Sequence, residues 1–291
     1  NFFVMNPNAS SANIMNDSGG TKYNSMQVEL RRRLSKGLLV SANYTYARRT
    51  SLSLQTVRLP RFELDATQQP HEAKMNFTYE LPFGRGRRFG SDMNKVLNGI
   101  LGNWEFSGNA RWQTSRFRIA DAKLVGMTAA ELSREFKIRI YKDAVTGTTT
   151  VYSMPADIIA GTRAAYSTDA TQPNGYSLAL GAPTGRYIKP SSDASCVSIY
   201  RGDCNAPDIK INGPLYQKVD LRIKKLFPFL SRGSFEVNIE ALNAFNNINF
   251  NHNLTPGEGA GTFQVTTAAT DINTSGDPGG RVGQIVFRIN W

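Results

Sequence analysis

The segment that decides the fold is Gly283-Gln284-Ile285-Val286-Phe287-Arg288-Ile289-Asn290-Trp291. Its odd-numbered positions carry Gly, Ile, Phe, Ile and Trp, whereas its even-numbered positions carry Gln, Val, Arg and Asn. Side chains of an extended strand point alternately to opposite faces, so this pattern predicts a strand with one apolar and one mostly polar face. Two interpretations fit this strand alone: a half-buried edge strand of a soluble domain, or a strand whose apolar face meets lipid.

The same alternation recurs in six earlier segments. Their apolar faces carry, segment by segment, Met26, Val28, Leu30 and Leu34; Leu38, Val40, Ala42, Tyr44 and Tyr46; Ala73, Met75, Phe77, Tyr79 and Leu81; Trp104, Phe106, Gly108, Ala110 and Trp112; Val219, Leu221 and Ile223; and Phe235, Val237, Ile239 and Ala241. The tight turn Ser35-Lys36-Gly37 joins the first two segments into a predicted β-hairpin. In the segment from Trp104 to Trp112, aromatic residues stand near both ends of the apolar face, as a membrane girdle requires.

The opposite face of these segments is polar and carries charges of both signs. The residues that we predict to face a lumen are Glu29, Arg31, Lys74, Glu80, Arg111, Arg222, Glu236, Glu240 and Arg288. Charges at this density are too costly for the dry core of a soluble β-sandwich. The polar face therefore favours a wet or plugged lumen.

The lengths of the connections alternate along the chain. Three of them are long, at residues 48–71, 114–215 and 247–280. Those between them are shorter, at 35–37, 83–102 and 227–233. If the C-terminus is periplasmic, all the long connections fall outside, which is the asymmetry of outer-membrane barrels. A soluble sandwich has no reason to sort its loops in this way.

The long connection 114–215 contains its own structural signals. Thr128-x-x-Glu131 predicts a capping box at the start of a short helix that ends near residue 136. Residues 136–141 and 149–153 have the pattern of a β-hairpin. We expect this hairpin either to stay in the loop or to add two strands to the sheet.

Cys196 and Cys204 are the only cysteines and lie close together in a loop rich in Gly, Ser and Pro. We predict a disulfide between them in an oxidising compartment. A zinc site is the alternative, but it needs about four ligands, and the chain has only two histidines, His71 and His252.

The overall organisation follows from these patterns. We predict an extracellular loop end at 1–22, barrel strands over 23–113 with an outer loop at 48–71, a long extracellular loop at 114–215, and C-terminal barrel strands over 216–291 with an outer loop at 247–280. The chain has 291 residues and lacks any run of the ~18–20 apolar residues that a membrane helix needs. Its first residues show no leader, so we expect a mature chain or a segment of a longer one.

A net charge of +11 points to nucleic acid or an anionic membrane surface as a partner. The basic stretch Gly84-Arg-Gly-Arg-Arg-Phe-Gly90 fits no dinucleotide fingerprint and follows a strand-stop signal. We therefore expect no nucleic acid, and we assign the charge to lipopolysaccharide phosphates or an anionic substrate. His71-Glu72 lacks a second histidine at helical spacing, and no catalytic constellation is present, so we expect neither an enzyme nor a cofactor nor a metal site.

An ordered set of segments resembles the C-terminal barrel of TonB-dependent outer-membrane receptors, especially the Oar-like group with a carboxypeptidase-regulatory-like N-terminal domain. The segments are Tyr23-Asn-Ser-Met-Gln-Val-Glu-Leu-Arg31, Gly37-Leu-Leu-Val-Ser-Ala-Asn-Tyr-Thr-Tyr46, Tyr79-Glu-Leu-Pro-Phe-Gly-Arg-Gly86, Gly102-Asn-Trp-Glu-Phe-Ser-Gly108, Asp220-Leu-Arg-Ile-Lys-Lys225, Glu240-Ala-Leu-Asn-Ala-Phe-Asn246 and the terminal strand. In such proteins the terminal strand is also the assembly signal, which here implies Ile285, Phe287, Ile289 and Trp291.

The resemblance implies an antiparallel transmembrane β-barrel of about 22 strands in the bacterial outer membrane, of which this chain is the C-terminal part. It implies partners: membrane lipid and lipopolysaccharide, a TonB-type energy-coupling protein that binds regions absent from this sequence, and the rest of the barrel and plug. Those remaining parts come from a longer chain or from other subunits. The implied function is uptake of a ligand that binds to the outer loops. Two alternatives stay open, a structural or adhesive barrel without transport and a secreted soluble β-rich binding module.

Overall fold

A computed structural model describes residues 19–53, 61–65, 68–120, 122–142, 148–191, 208–229, 233–247, 249–252, 254–265, 267–268 and 280–291. The strands in these segments are β1 (Thr21–Ser35), β2 (Leu38–Ser53), β3 (Arg61–Leu64), β4 (His71–Glu80), β5 (Trp104–Gln113), β6 (Arg116–Ile119), β7 (Ala122–Val125), β8 (Arg139–Lys142), β9 (Thr149–Tyr152), β10 (Tyr187–Pro190), β11 (Ile209–Asn212), β12 (Tyr216–Phe229), β13 (Gly233–Leu242), β14 (Phe250–Asn251), β15 (Gln264–Val265), β16 (Thr267–Ala268) and β17 (Val282–Asn290). The helices are α1 (Lys95–Leu101), α2 (Ala129–Glu135) and α3 (Ala156–Tyr166). In these segments no helix is long and apolar enough to cross a membrane.

Seven long strands form one antiparallel sheet, which we call the wall. Their order is β1-β2-β4-β5-β12-β13-β17, and β3 adds to the far end of β2. The sheet is open, because over the described residues β1 pairs only with β2 and β17 only with β13. The prediction of an antiparallel all-β fold is confirmed.

The strand register places the apolar residues of all seven strands on one face of the wall. One row across the sheet is Val40, Phe77, Gly108, Leu221, Ala241 and Gly283. A Cβ at Gly108 would lie 2.7 Å from the carbonyl oxygen of Asp220 and 3.0 Å from the Phe77 ring. The glycine therefore leaves room for Phe77 on the crowded centre of this face. The face is open to its surroundings, since side chains such as Phe287 remain 65% exposed.

The two rims of the wall differ. One rim, the short-turn rim, carries the turn at Lys36-Gly37, the connection 81–103, the paired strand ends Phe229 and Gly233, and residue Trp291. The other, the long-loop rim, carries the described residues of the connections 54–70, 114–215 and 243–281. The shorter connections thus lie at one rim and the long ones at the other, as the sequence predicts.

Strand ends differ from the predicted organisation in three places. β2 continues to Ser53 and pairs with β3 inside the predicted loop 48–71, because the second strand satisfies its backbone groups. β12 continues through Phe229, which faces Gly233 at the start of β13, so most of the predicted turn 227–233 is strand. β1 likewise begins at Thr21, within the predicted loop end 1–22.

The hairpin predicted near residues 136–153 forms as β8 and β9 but does not extend the wall. β9 pairs with β8 on one side and with β15 on the other, in a separate three-stranded sheet. Of the two alternatives, the hairpin stays in the loop, where its free edge pairs with β15 from the connection before β17.

The main hydrophobic core lies outside the wall. Its buried members are Ile119, Ala122, Leu132, Phe136, Met154, Ile158, Ile159, Ile188, Ile209, Ile211, Leu254 and Phe263. All of them belong to the two long connections between β5 and β12 and between β13 and β17. The long-loop rim therefore carries a folded unit with its own core.

Candidate functional site

The folded unit on the long-loop rim, which we call the cap, consists of the described residues between 114 and 215 together with those between 249 and 265. It stands on an extension of the wall: β5 pairs with β12 up to Gln113 and Tyr216, and β6 then pairs with β11. The Ser115 hydroxyl bridges the gap between these ladders by donating to the Pro214 carbonyl over 2.8 Å. The cap is thus fixed to the wall by a continuous pair of strands.

Helix α2 is positioned by the predicted capping box. The Thr128 hydroxyl accepts from the Glu131 backbone N–H at 3.2 Å, and the Glu131 carboxylate accepts from the Thr128 backbone N–H at 2.7 Å. The hydrogen bond from the Thr128 backbone holds the pKa of Glu131 below its usual value. Both partners satisfy donors that a helix start leaves unpaired.

Arg186 links helices α2 and α3. Its guanidinium donates to Asp157, in the first turn of α3, at 2.6 Å and to Glu135, at the end of α2, at 3.0 Å. The bond from Arg186 lowers the pKa of Asp157, and the two carboxylates raise the pKa of Arg186. A planar guanidinium that bridges two carboxylates fixes the angle between the elements that carry them.

The cap is made of two loops that are distant in sequence. Phe263, from the loop before β17, is fully buried in the core, and its carbonyl accepts from the backbone N–H of Ser153 at 2.9 Å. The Arg163 side chain donates to the Glu258 carbonyl at 2.9 Å, so α3 is also tied to the second loop. The two loops therefore form one unit.

His252 lies at this joint between the loops. Its ring packs edge-on against Phe136 at 4.6 Å and Phe117 at 5.4 Å between centroids, and its Nδ1 is 2.9 Å from the Ser153 hydroxyl. Burial lowers the pKa of His252 from 6.5 to about 4. A buried cation is disfavoured among apolar rings, so the imidazole is neutral at neutral pH.

The nine charged residues predicted to face a lumen share one face of the wall. In one row Glu29 pairs with Asn43, Asn43 with Lys74, and Lys74 with Arg111. The other six residues of the set lie at alternate positions on the same face: Arg31, Glu80, Arg222, Glu236, Glu240 and Arg288, which is opposite Glu236 on β17. That this face lines a lumen stays a prediction.

Charges of opposite sign on the polar face lie in contact. Just below the cap, the Glu72 carboxylate forms ion pairs with the Lys74 ammonium group at 2.9 Å and with the Arg111 guanidinium at 3.0 Å. Nearer the short-turn rim, the Glu105 carboxylate forms ion pairs with the Lys224 ammonium group at 2.7 Å and with the Arg222 guanidinium at 3.4 Å.

The row that contains Lys74 and Arg111 continues to Lys218, which pairs with Arg111 in the strand register. Three cations thus lie on adjacent strands beside a groove of about 290 Å³ that is also lined by Asn76 and Asp220. This groove on the polar face has an excess of positive charge.

The residues of the predicted assembly signal lie on the apolar face. Ile285, Phe287 and Ile289 pair in register with the apolar residues of β13, and the Phe287 ring stacks on Phe235 with centroids 6.0 Å apart. Trp291 follows β17 and is 96% exposed. Their role in assembly stays a prediction. The predicted disulfide between Cys196 and Cys204 lies outside the described residues.

Sequence reasoning missed the residues that join the two loops. His252 and Phe263 lie in a segment without alternation, and their partners are about 100 positions away in the chain, so no local pattern marks them. Sequence reasoning also missed that Lys225 interrupts the apolar face. The signal was available, because Lys225 alternates with Ile223 and Phe227 and so must share their face. Among the described residues no group of three or more metal-binding side chains occurs.

Comparison with known proteins agrees with this architecture. A comparison with curated proteins found no match, and neither did a comparison with solved structures. A family model described as an outer membrane beta barrel domain matches residues 1–284. Because the match spans almost the whole chain, the chain belongs to the outer membrane beta barrel domain family and is a protein of the bacterial outer membrane.

Proposed function

We propose that the chain forms part of the wall and the extracellular cap of a TonB-dependent receptor of the Oar-like type, which takes up a ligand without changing it chemically. The ligand binds at the cap and the neighbouring loop between β2 and β4. Energy-coupled movement of a plug, driven by a TonB-type protein, then opens a path along the polar face. Plug and coupling segment belong to parts of the receptor outside this sequence.

The observation that carries this proposal is the cap. Two outer loops share one buried core, in which Phe263 from one loop packs among residues from the other. Loops of a purely structural barrel need no common core, whereas a binding site is more precise when rigid elements hold it. The cationic groove below the cap offers an onward path for a ligand with negative charge.

Further strands must complete the wall. Over the described residues β1 and β17 each have one neighbour, and unpaired backbone groups at membrane depth cost several kcal/mol each. Seven wall strands are about a third of a 22-stranded transporter barrel. We propose that the missing strands come from the same polypeptide or from other subunits.

The first test is the mass of the native protein extracted from outer membranes. This chain alone has a mass of 32.1 kDa, and a wall of about 22 strands implies a polypeptide on the order of 100 kDa. We expect the larger species, together with an energy-coupling protein that co-purifies with it. A 32.1 kDa species without that partner would contradict the receptor.

Uptake itself is tested in cells. We would compare which medium components are depleted by cells with the native protein and by cells with Phe263→Ala, with and without a protonophore. Phe245→Ala, a change on the exposed part of the same connection, is the matched control. We expect depletion that needs energy and is lost only in Phe263→Ala.

A structural or adhesive barrel is the second candidate. It is favoured by large apolar side chains exposed on the cap, Leu178 at 83% and Ile140 at 68%, since such residues suit contacts with a partner. In that case Phe263→Ala would reduce surface attachment and leave depletion of the medium unchanged. The outer-membrane location excludes the third alternative, a secreted soluble module.

A further inference from the structure

The connection 81–103 on the short-turn rim is far longer than a hairpin turn needs to be. Its first part is a closed loop, in which the Gly84 N–H donates to the Phe89 carbonyl and the Phe89 N–H donates to the Pro82 carbonyl, both at 2.9 Å. The Arg85 backbone N–H then donates to the Asn98 side chain at 2.7 Å. This bond ties the loop to helix α1, so the connection has one fixed shape.

Helix α1 lies on the apolar side of the wall. The ammonium group of Lys225, on the apolar face of β12, donates to the carbonyls of Ile100 and Gly102 at the end of the helix. The indole N–H of Trp104, on the same face of β5, donates to the Ile100 carbonyl at 2.8 Å. A shallow apolar hollow between helix and wall is lined by Ile100, Trp104, Lys225, Phe227, Val237 and Ile239, with Gly99 at its edge.

The contact with α1 explains how a lysine is accommodated on the lipid-facing surface. Lys225 is only 4% exposed, and its ammonium group lies 5.1 Å from the Trp104 ring and 5.2 Å from the Phe227 ring. The carbonyls at the end of a helix carry partial negative charge, which suits a cation. The helix therefore shields the lysine, and the lysine holds the helix against the apolar face.

The outward side of α1 is apolar. The exposed apolar side chains of the helix are Val96, Leu97, Ile100 and Leu101, with exposed fractions from 46% to 72%. At 3.6 residues per turn these four positions fall within an arc of about 140°. Phe83 and Phe89, whose rings lie 5.5 Å apart, are exposed in the adjoining loop. The apolar face of the wall thus continues onto a helix at the rim.

Basic residues surround this apolar stripe. The connection carries Arg85, Arg87, Arg88 and Lys95 against the single acid Asp92. Arg87 pairs with Glu80 at 2.9 Å. Within the described part of the chain, Arg85, Arg88 and Lys95 form no ion pair, and all three are exposed. The Arg88 guanidinium lies over the Phe89 ring, 5.4 Å from its centroid. An apolar stripe bordered by cations without an acidic partner is the composition of a helix that lies in a membrane interface.

We propose that helix α1 and the loop before it form an anchor in the periplasmic leaflet, with the apolar stripe among the acyl chains and Arg85, Arg88 and Lys95 on the phosphates of anionic phospholipids. The short-turn rim faces the periplasm in outer-membrane barrels, so the periplasmic leaflet is the one that helix α1 adjoins. The occupant is lipid because the stripe continues the lipid-facing surface of the wall without a break. The anchor fixes the height of this rim in the membrane.

The test measures how closely α1 approaches acyl chains. The full protein, with Cys196→Ser and Cys204→Ser, receives one cysteine in place of Leu97 and, as matched control about 160° round the same helix, of the exposed Lys95. Each variant is labelled with bimane and reconstituted into bilayers of phosphatidylethanolamine and phosphatidylglycerol that contain acyl-brominated lipid. We expect quenching several-fold stronger at position 97 than at 95. Equal quenching by bromolipid, with equal quenching by aqueous iodide, would overturn the anchor in favour of a water-exposed surface for a protein partner.

A second variant tests the charges without altering the helix stripe. Arg85→Gln, Arg88→Gln and Lys95→Gln together are combined with the label at position 97. We expect quenching to fall towards that seen when phosphatidylcholine replaces phosphatidylglycerol, because attraction to anionic headgroups is lost. Quenching that depends on neither the charges nor the headgroup would contradict the role given to the phosphates.

Discussion

His252 makes the joint between the two outer loops sensitive to pH. In the folded cap its pKa is about 4, whereas its ordinary value, which applies to the unfolded chain, is 6.5. Between these values the unfolded chain binds more protons, so folding stability rises with pH. The stabilisation of the folded cap by neutral His252 is complete above pH 6.5 and is lost as the pH falls towards 4. Glu131 and Asp157 have lowered pKa values in the folded cap, so they change its folding stability only at lower pH. Their stabilising effect is lost as the pH falls below their ordinary pKa values of 4.5 and 3.8.

We predict that the free energy of local unfolding of the cap falls by roughly 1–2 kcal/mol between pH 7 and pH 4.5, allowing for the partial exposure of the ring. Hydrogen exchange of cap amides at the two pH values measures this loss. His252→Gln keeps a polar partner for Ser153 but cannot titrate, so its cap should show a flat profile over the same range. A decline of equal size in His252→Gln would assign the effect to other groups.

Phe263 stabilises the same joint by packing. Its backbone has φ 58°, in the left-handed region that costs an ordinary residue roughly 1–2 kcal/mol, and its ring is fully buried. We predict that Phe263→Ala destabilises the cap by about 3–5 kcal/mol through the cavity that it leaves. Limited proteolysis of the native protein should then cleave the cap and spare the wall. Phe245→Ala removes an exposed ring and should change nothing; faster cleavage in both variants would mean that the joint is not the cause.

At the scale of the element, the strands show which structure a local pattern can predict. Alternation with period two is a property of neighbouring residues, and it predicts both the strands and their apolar face, as at Phe77 and Ile223. The capping box at Thr128 and Glu131 is equally local and forms as predicted. The pairing of β9 with β15 joins residues more than 100 positions apart, and no local signal specifies it.

Ile223 tests the assignment of the two faces of a strand. It lies on the apolar face between Phe106 and Ile239. Because this face meets lipid, Ile223→Arg should destabilise the protein in bilayers by about 2–4 kcal/mol, measured by urea unfolding. Asn76→Arg, on the polar face of β4, should stay within about 1 kcal/mol of the native protein because its charge meets water. Similar losses in both variants would be incompatible with a lipid-facing and a wet side.

At the scale of the whole molecule, one protein combines an apolar belt, a charged polar face, a folded cap and a helix-bearing rim. The belt and the sorting of the connections follow from the sequence, since both depend on the order of alternating segments and links. The cap core and the contact between Lys225 and α1 do not, because each depends on which distant segments meet. The open edges at β1 and β17 likewise become visible only once strand order is known.

We conclude that the two faces of the wall have different surroundings, lipid on one side and water on the other. The most direct test places single nitroxide labels at successive positions 219–224 of β12 in the reconstituted protein without native cysteines. Accessibility to oxygen and to a water-soluble nickel complex is then measured at each position. We predict that oxygen accessibility peaks at 219, 221 and 223 and nickel accessibility at 220, 222 and 224. Accessibility without a period of two, or high nickel accessibility at both parities, would contradict a membrane-spanning wall.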